Sequence, residues 1–301
     1  MKTKALFNRH KVLVALLGKL GGTASNLDFQ KLLFLYCLDY ESIPSYEFIP
    51  YRYGAFSFTS YADRRKLVAQ GLLADLSDYW ELSETGAVVA LEHEAQLKNV
   101  SGFLSRYRNM RGNRLVAETY RRYPYYGIQS QIAGKVLHGD ALALQKIDAA
   151  RPPKNNPGIV TIGYEGRSLE AYLNLLIRDG VTLLCDVRRN ALSRKYGFSK
   201  RTLSRACEGV GIRYEHMPDL GIDSGQRKNL SSDGSYERLF DRYRRDVIPV
   251  QTGRLETIAG WVENGERVAL TCFERHHQQC HRHCVSEELE RHGTPFKATH
   301  L

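Results

Sequence analysis

The sequence predicts a two-domain chain. A mainly helical, winged-helix-like domain occupies residues 1–150, and an α/β domain with a mostly parallel sheet occupies residues 158–301. Three observations carry this reading. A chain of 301 residues is longer than a typical single domain. RPPKNNPG at 151–158 is a composition break that no helix can continue, so it reads as a linker. Apolar segments before the break have helical spacing, whereas those after it alternate short strand-like runs with helices.

Composition limits the class. With 43% hydrophobic and 25% charged residues and no low-complexity run, the chain is an ordinary globular one. No apolar stretch approaches the ~20 residues of a membrane span. The N-terminal MKTKALFNRHKVLVALLGKL has basic residues before an apolar run, as signal peptides do. Its apolar positions are helically spaced and no small-residue cleavage site follows, so it reads as a first amphipathic helix in a cytoplasmic protein. A net charge of +10 favours anionic partners, nucleic acid first and acidic membrane second; nucleic acid is the partner expected, with no membrane. Six cysteines in such a chain do not suggest a disulfide framework; Cys37, Cys185 and Cys207 lie in apolar segments, as buried thiols do.

In the first domain, residues 10–22 and 26–40 are predicted helices, the second capped by Asn26. Residues 46–86 then run through a short extended piece, a helix over 61–70 stopped by Gly71, and a hairpin-like pair around Leu73 and Trp80. That order is the one found in a winged helix-turn-helix, whose helix enters a DNA groove. A helical module that binds a protein partner and keeps the wing topology reads equally well, because only Arg64, Arg65 and Lys66 mark a recognition helix. PYRYGAFSFTSYADRRKLVAQGLL, followed by a tyrosine-containing strand and LSETG, resembles the SocA-type (Panacea) antitoxin-like domain over residues 8–90. The resemblance implies a protein-binding or regulatory module. The next segment, 105–130, mixes arginines with tyrosines, a surface suited to a nucleic-acid strand. A helix that packs its tyrosines on a neighbouring domain and leaves its arginines in solvent explains it too.

In the second domain, strands are predicted at 159–164, 182–187, 212–217 and 267–273. Helices are predicted at 168–180, capped by Ser168 and stopped by Gly180, and at 199–211, 236–250, 252–265 and 285–293. Right-handed crossovers between such elements give a parallel sheet. Ligands of open parallel sheets bind beyond the carboxyl ends of the strands. There the sequence places Tyr164 and Glu165, then Asp186, Arg188 and Arg189, then His216, and finally Cys272 and Glu274. Four strand ends out of four deliver ionisable or nucleophilic groups, so a rim site is expected.

GYEG, CDVRRNALSRKYGFSK, GIRYEHMPDLG and ALTCFE with CHRHCVSEEL resemble, in that order, the family of domain of unknown function 488 over residues 158–293. The resemblance implies an α/β domain with a rim of DVR, SR, GFSK, CxE and CHR elements, and it supplies no reaction. The matching positions include Asp186, Arg188, Ser193, Arg194, Ser199, Lys200, Cys272, Glu274, Cys280, His281 and Arg282. His276, His277, His283 and Cys284 are additional to the pattern.

Three chemistries compete for this rim. Glu274, Asp186 and Glu165, with Tyr164 beside them, would act as catalytic carboxylates. Arg188, Arg194 and Arg282 would hold a phosphate, helped by Ser193, Ser199, Lys200, His216 and His281, as N-glycosidic or phosphate-ester chemistry requires. Alternatively Cys272 is a nucleophile facing arginines, although the sixth residue beyond it is Gln278, not the arginine of a C-x5-R loop. Alternatively Cys272, Cys280, His281 and Cys284 bind zinc. Cys280-x3-Cys284 is one tight pair, and no second pair exists. No cofactor is therefore assigned. The 219–235 loop is a candidate lid. The leading expectation is an enzyme acting on nucleic acid or a nucleotide, in repair, modification or phage defence. The rival is a non-enzymatic DNA-binding or antitoxin-like regulator whose second domain binds a metal or small ligand.

Overall fold

The computed structural model describes residues 5–223, 225, 233–291 and 297–301, so parts of the predicted lid and the end of the last predicted helix lie outside the described residues. The chain forms two compact units, Met1–Arg151 and Pro152–Leu301.

In the first unit, helices α1 (Asn8–Lys19), α2 (Asn26–Asp39) and α3 (Phe58–Ala69) pack with strands β1 (Thr23–Ser25), β2 (Ile49–Tyr51), β3 (Gly54–Phe56) and β4 (Tyr79–Glu81). Helices α4 (Glu84–Glu92), α5 (Val100–Tyr107), α6 (Gly112–Arg122), α7 (Ala133–Val136) and α8 (Ala141–Ala149) complete it. The cap of α2 is Ser25 rather than Asn26: the Ser25 hydroxyl accepts from the Asp28 N–H at 3.1 Å, while the Asn26 amide donates to the Ser77 carbonyl. β1 pairs antiparallel with β4, β2 pairs with β3, and a bridge joins Leu73 to Leu82. Leu13, Leu33, Phe34 and Trp80 lie in one apolar core, and α1 is buried along most of its length. Part of the Tyr/Arg segment serves the unit's own packing, while Arg108 and Arg114 are exposed. Tyr107 and Tyr120 are buried in the unit's own interior, and Arg106, Arg121 and Arg122 pair with Glu118, Asp140 and Asp39. Rings spent on the core cannot stack on bases.

The second unit is an α/β layer structure. Its strands are β5 (Gly158–Gly163), β6 (Leu183–Asp186), β7 (Arg213–His216), β8 (Arg267–Cys272) and β9 (Thr299–His300), all parallel, in the order β7-β6-β8-β5-β9. The predicted strands appear with ends shifted by a residue or two. β9 escaped prediction because two polar residues carry no periodicity. The helices are α9 (Leu169–Arg178), α10 (Lys200–Glu208), α11 (Asp233–Asp246), α12 (Thr252–Glu263) and α13 (Arg282–Arg291). Ser168 caps α9 as predicted, accepting from the Ala171 N–H at 2.9 Å.

Register decides which side chains share a face. Ile159, Leu183, Cys185, Val268 and Leu270 pack with residues of α11, α12 and α13. The alternate positions face the other way, where the Tyr172 hydroxyl of α9 bonds Thr271. The connection after β5 therefore leaves toward one face and the connection after β8 toward the opposite one, although the two strands are neighbours. Such a reversal, here at the carboxyl ends of β5 and β8, is where open parallel sheets bind ligands.

Candidate functional site

Cys272 ends β8, in register with Gly163 of β5. Gly163 is fixed by that approach: a Cβ there would lie 1.8 Å from the Glu274 carbonyl oxygen. The missing side chain lets the chain after β8 fold back across the end of β5. Glu165 N–H then donates to the Phe273 carbonyl at 2.9 Å, and the Glu165 carboxylate accepts from the Arg275 N–H at 3.0 Å. The exposed Glu165 thus braces a turn.

Three donors converge inside this turn. The ligating atoms of Cys272, Cys280 and His281 all lie within 4.8 Å of one another, and all three residues are buried. Cys272 Sγ is 3.8 Å and Cys280 Sγ 3.9 Å from His281 Nδ1, and Cys272 Sγ is 3.6 Å from Glu274 Oε2. The tautomer of His281 follows from its other nitrogen. Nε2 lies 3.0 Å from the Val187 carbonyl oxygen, which only accepts, so Nε2 carries the proton. Nδ1 therefore turns a lone pair toward the two sulfurs. Burial, followed by the adjacent Cys272 thiol, pushes Cys280 well above the ordinary thiol range. Cys284 does not join this group. It lies one turn further along α13, 3.4 Å from His283 Nε2, with its thiol raised to about 12 chiefly by burial.

Asp186 and Arg188 form a second cluster. Asp186 is in register with Thr271, one residue short of Cys272, and the alternation of a strand sends it to the opposite face. It is fully buried and accepts from Arg188 Nε at 2.8 Å, Arg188 NH2 at 2.5 Å and the Tyr214 hydroxyl at 2.6 Å. Arg188 also donates to the Tyr164 hydroxyl and the Phe198 carbonyl, both at 2.9 Å. Burial alone would lower Arg188, but the Asp186 carboxylate outweighs it and holds the guanidinium above its usual range. Tyr164 stacks on Phe198 with ring centroids 4.3 Å apart. Arg188 therefore neutralises Asp186 and holds the strand end together. Strand parity sends Asp186 to one face of the sheet and Cys272 to the other, while His281 joins the two clusters through the Val187 carbonyl.

The remaining predicted residues flank this cluster. Ser193 and Ser199 bond each other across their loop, the Ser199 hydroxyl donating to the Ser193 carbonyl at 3.0 Å. Lys200 Nζ lies 3.3 Å from His216 Nδ1, and His216 Nε2 donates to the Arg188 carbonyl at 2.9 Å. Arg194 is exposed.

Cations collect instead beside the Cys/His group. Arg282 is 1% exposed, donates to the Glu274 and Arg275 carbonyls at 2.6 and 3.0 Å, and its buried Nε has no partner among the described residues. Arg167 donates to the Gly163 and Leu301 main-chain oxygens. Burial first, then repulsion from Arg275 and Arg282, holds its guanidinium below its usual range. Arg167 and Arg275 were missed from sequence. Nothing in either residue's neighbourhood signals the other, and only the return of the chain after β8 brings them together.

Residues 168–289 match the family model of the domain of unknown function DUF488. The DUF488 match contains both clusters except for Tyr164, Glu165 and Arg167, which precede it. No curated protein and no solved structure matches the chain.

Proposed function

We propose that the second unit is a zinc-dependent hydrolytic enzyme acting on a nucleotide or nucleic acid. Cys272, Cys280 and His281 would hold the metal, Glu274 would serve as general base, and Arg167, Arg275 and Arg282 would bind phosphate. The observation that carries this reading is the orientation of His281. A metal-binding histidine characteristically donates its other ring N–H to a carbonyl or carboxylate, which fixes its tautomer. Here the acceptor is Val187 O, and Nδ1 faces two thiols. Tetrahedral zinc with ordinary Zn–S and Zn–N bonds separates such atoms by about 3.5 Å, so a small contraction brings them into coordination. Three protein ligands leave a fourth position for water, whose acidity zinc increases. A carboxylate beside a His/Cys/Cys zinc, itself outside the ligand set, is the arrangement used for hydrolytic attack on nucleobases. Three arginines that have no carboxylate partner among the described residues, one with a buried Nε unsatisfied there, support an anionic substrate.

The first unit supports the same substrate class. Its α1–β1–α2–β2–β3–α3–β4 order, with β1 against β4 and Leu73 bridging Leu82, supports reading it as a winged helix that carries the β2–β3 hairpin as an insertion, and Arg65 and Lys66 of α3 are exposed. Arg64 is spent on the Leu76 and Tyr79 carbonyls. An antitoxin-like protein-binding role uses the same surface.

Metal analysis of the purified protein tests the centre. One zinc per chain is expected, lost in Cys280→Ser and His281→Ala and kept in Cys284→Ser. Glu274→Gln is expected to keep the metal and lose turnover on a nucleotide panel. A chain that takes up no zinc on reconstitution refutes the proposal. The His281 lone pair beside Cys272 also suits sulfur transfer, which would instead show as a persulfide absent from Cys272→Ser.

A further inference from the structure

The PYRYG stretch of the first unit has no part in the chemistry above, yet its residues wall a cavity of about 380 Å³. Gly54, at the turn between β2 and β3, has φ +90°, and a Cβ there would meet the Tyr120 ring at 2.5 Å. This position therefore requires glycine, and the resulting turn sets Tyr51 and Arg52 at the cavity. One wall is a run of near-parallel rings: Tyr51 on Phe56 at 4.9 Å and 28°, then Phe56 on Tyr61 at 5.1 Å and 26°.

The other participant is Lys31 of α2. It lines the cavity, is 2% exposed, and has the Ala55 carbonyl, at 2.7 Å, as its one hydrogen-bond partner among the described residues. The neighbouring Gln30 amide cannot assist, because its Nε2 donates to Ser60 and its Oε1 accepts from the Ser57 N–H. The lining contains two cations, Lys31 and Arg52, and no carboxylate. A fully buried lysine is rare without a counter-charge, since an ammonium removed from water is strongly disfavoured. Burial accordingly lowers Lys31 to about 7.

We propose that this cavity is a binding site for a small flat aromatic anion, its ring against the Tyr51–Phe56–Tyr61 wall and its acidic group paired with the Lys31 ammonium. The shape suits one ring system and the charge one acid. The site is independent of the Cys/His centre and stands or falls without it.

Fluorescent probes test it on the full chain. Anilinonaphthalene sulfonate carries both elements, and its uncharged parent N-phenylnaphthylamine carries only the rings. The sulfonate is expected to bind wild type more tightly than the uncharged probe. Lys31→Met should weaken the sulfonate by about 10- to 100-fold, the range of a charge-assisted contact, and leave the uncharged probe within about twofold. Cys280→Ser should change neither. Arg52→Gln, at an exposed position, should weaken the sulfonate alone by a smaller factor and serves as the test if Lys31→Met misfolds. Sulfonate binding unchanged in both variants, or a loss shared by the uncharged probe, overturns the proposal.

Discussion

Replacing Asp186 with asparagine separates the structural reading of the Asp186–Arg188 pair from the catalytic one. The side chains are 0% and 6% exposed, and Asp186 provides both strong acceptors of the guanidinium, at 2.8 and 2.5 Å. Asparagine keeps the shape but leaves one carbonyl acceptor and an NH2 that faces donors. Arg188 would then be a buried cation with neutral acceptors alone: the asparagine carbonyl, the Tyr164 hydroxyl and the Phe198 carbonyl. Removing one partner of a buried ion pair costs about 3–5 kcal/mol. Amide exchange at β6 and β8, which reports opening of this unit alone, should accelerate by roughly a hundred- to several-thousand-fold. Adding Arg188→Met removes the stranded charge and should recover at least about half of the loss. Acceleration below about tenfold in Asp186→Asn would show that the pair is not an uncompensated buried charge once broken. Unchanged exchange with abolished turnover would return Asp186 to the catalytic set.

Other outcomes follow from the same geometry. Gly163→Ala should displace the Glu274 carbonyl, cost about 1–3 kcal/mol in the second unit by overpacking, and lower zinc content; an unchanged denaturation midpoint and metal content would contradict the close approach. Lys31 lies at about 7 folded against 10.5 unfolded, so the unfolded chain binds more protons between those values and stability should rise with pH across that window. Its destabilising effect, roughly 4–5 kcal/mol at and below the lower pH, should appear as a Lys31→Met advantage that shrinks toward pH 10.5. Denaturant unfolding read from Trp80 in a Trp261→Phe background measures this, and a pH-independent gap would count against the buried cation. Nucleic-acid binding should weaken steeply with salt, by about one power of salt concentration per phosphate contacted, and Arg65→Gln with Lys66→Gln should reduce that slope.

Much of this protein is local, and the sequence by itself determined that part. The linker, the α/β alternation, the Ser168 cap and the buried runs of β5, β6 and β8 follow from period, turn residues and composition over short windows. So did the prominence of ALTCFE and CHR, because cysteines, histidines and a glutamate within a few residues stand out anywhere. Tertiary structure decided which strand-end residues meet. Side chains alternate along a strand, so one residue of register sends Asp186 to one face and Cys272 to the other, and register depends on β8 lying between β6 and β5. It also paired Arg188 with Asp186, and it drew Cys280 and His281, rather than Cys284, toward Cys272. Arg167, over a hundred residues from Arg275, became its neighbour only because Gly163 lets the two strand ends cross.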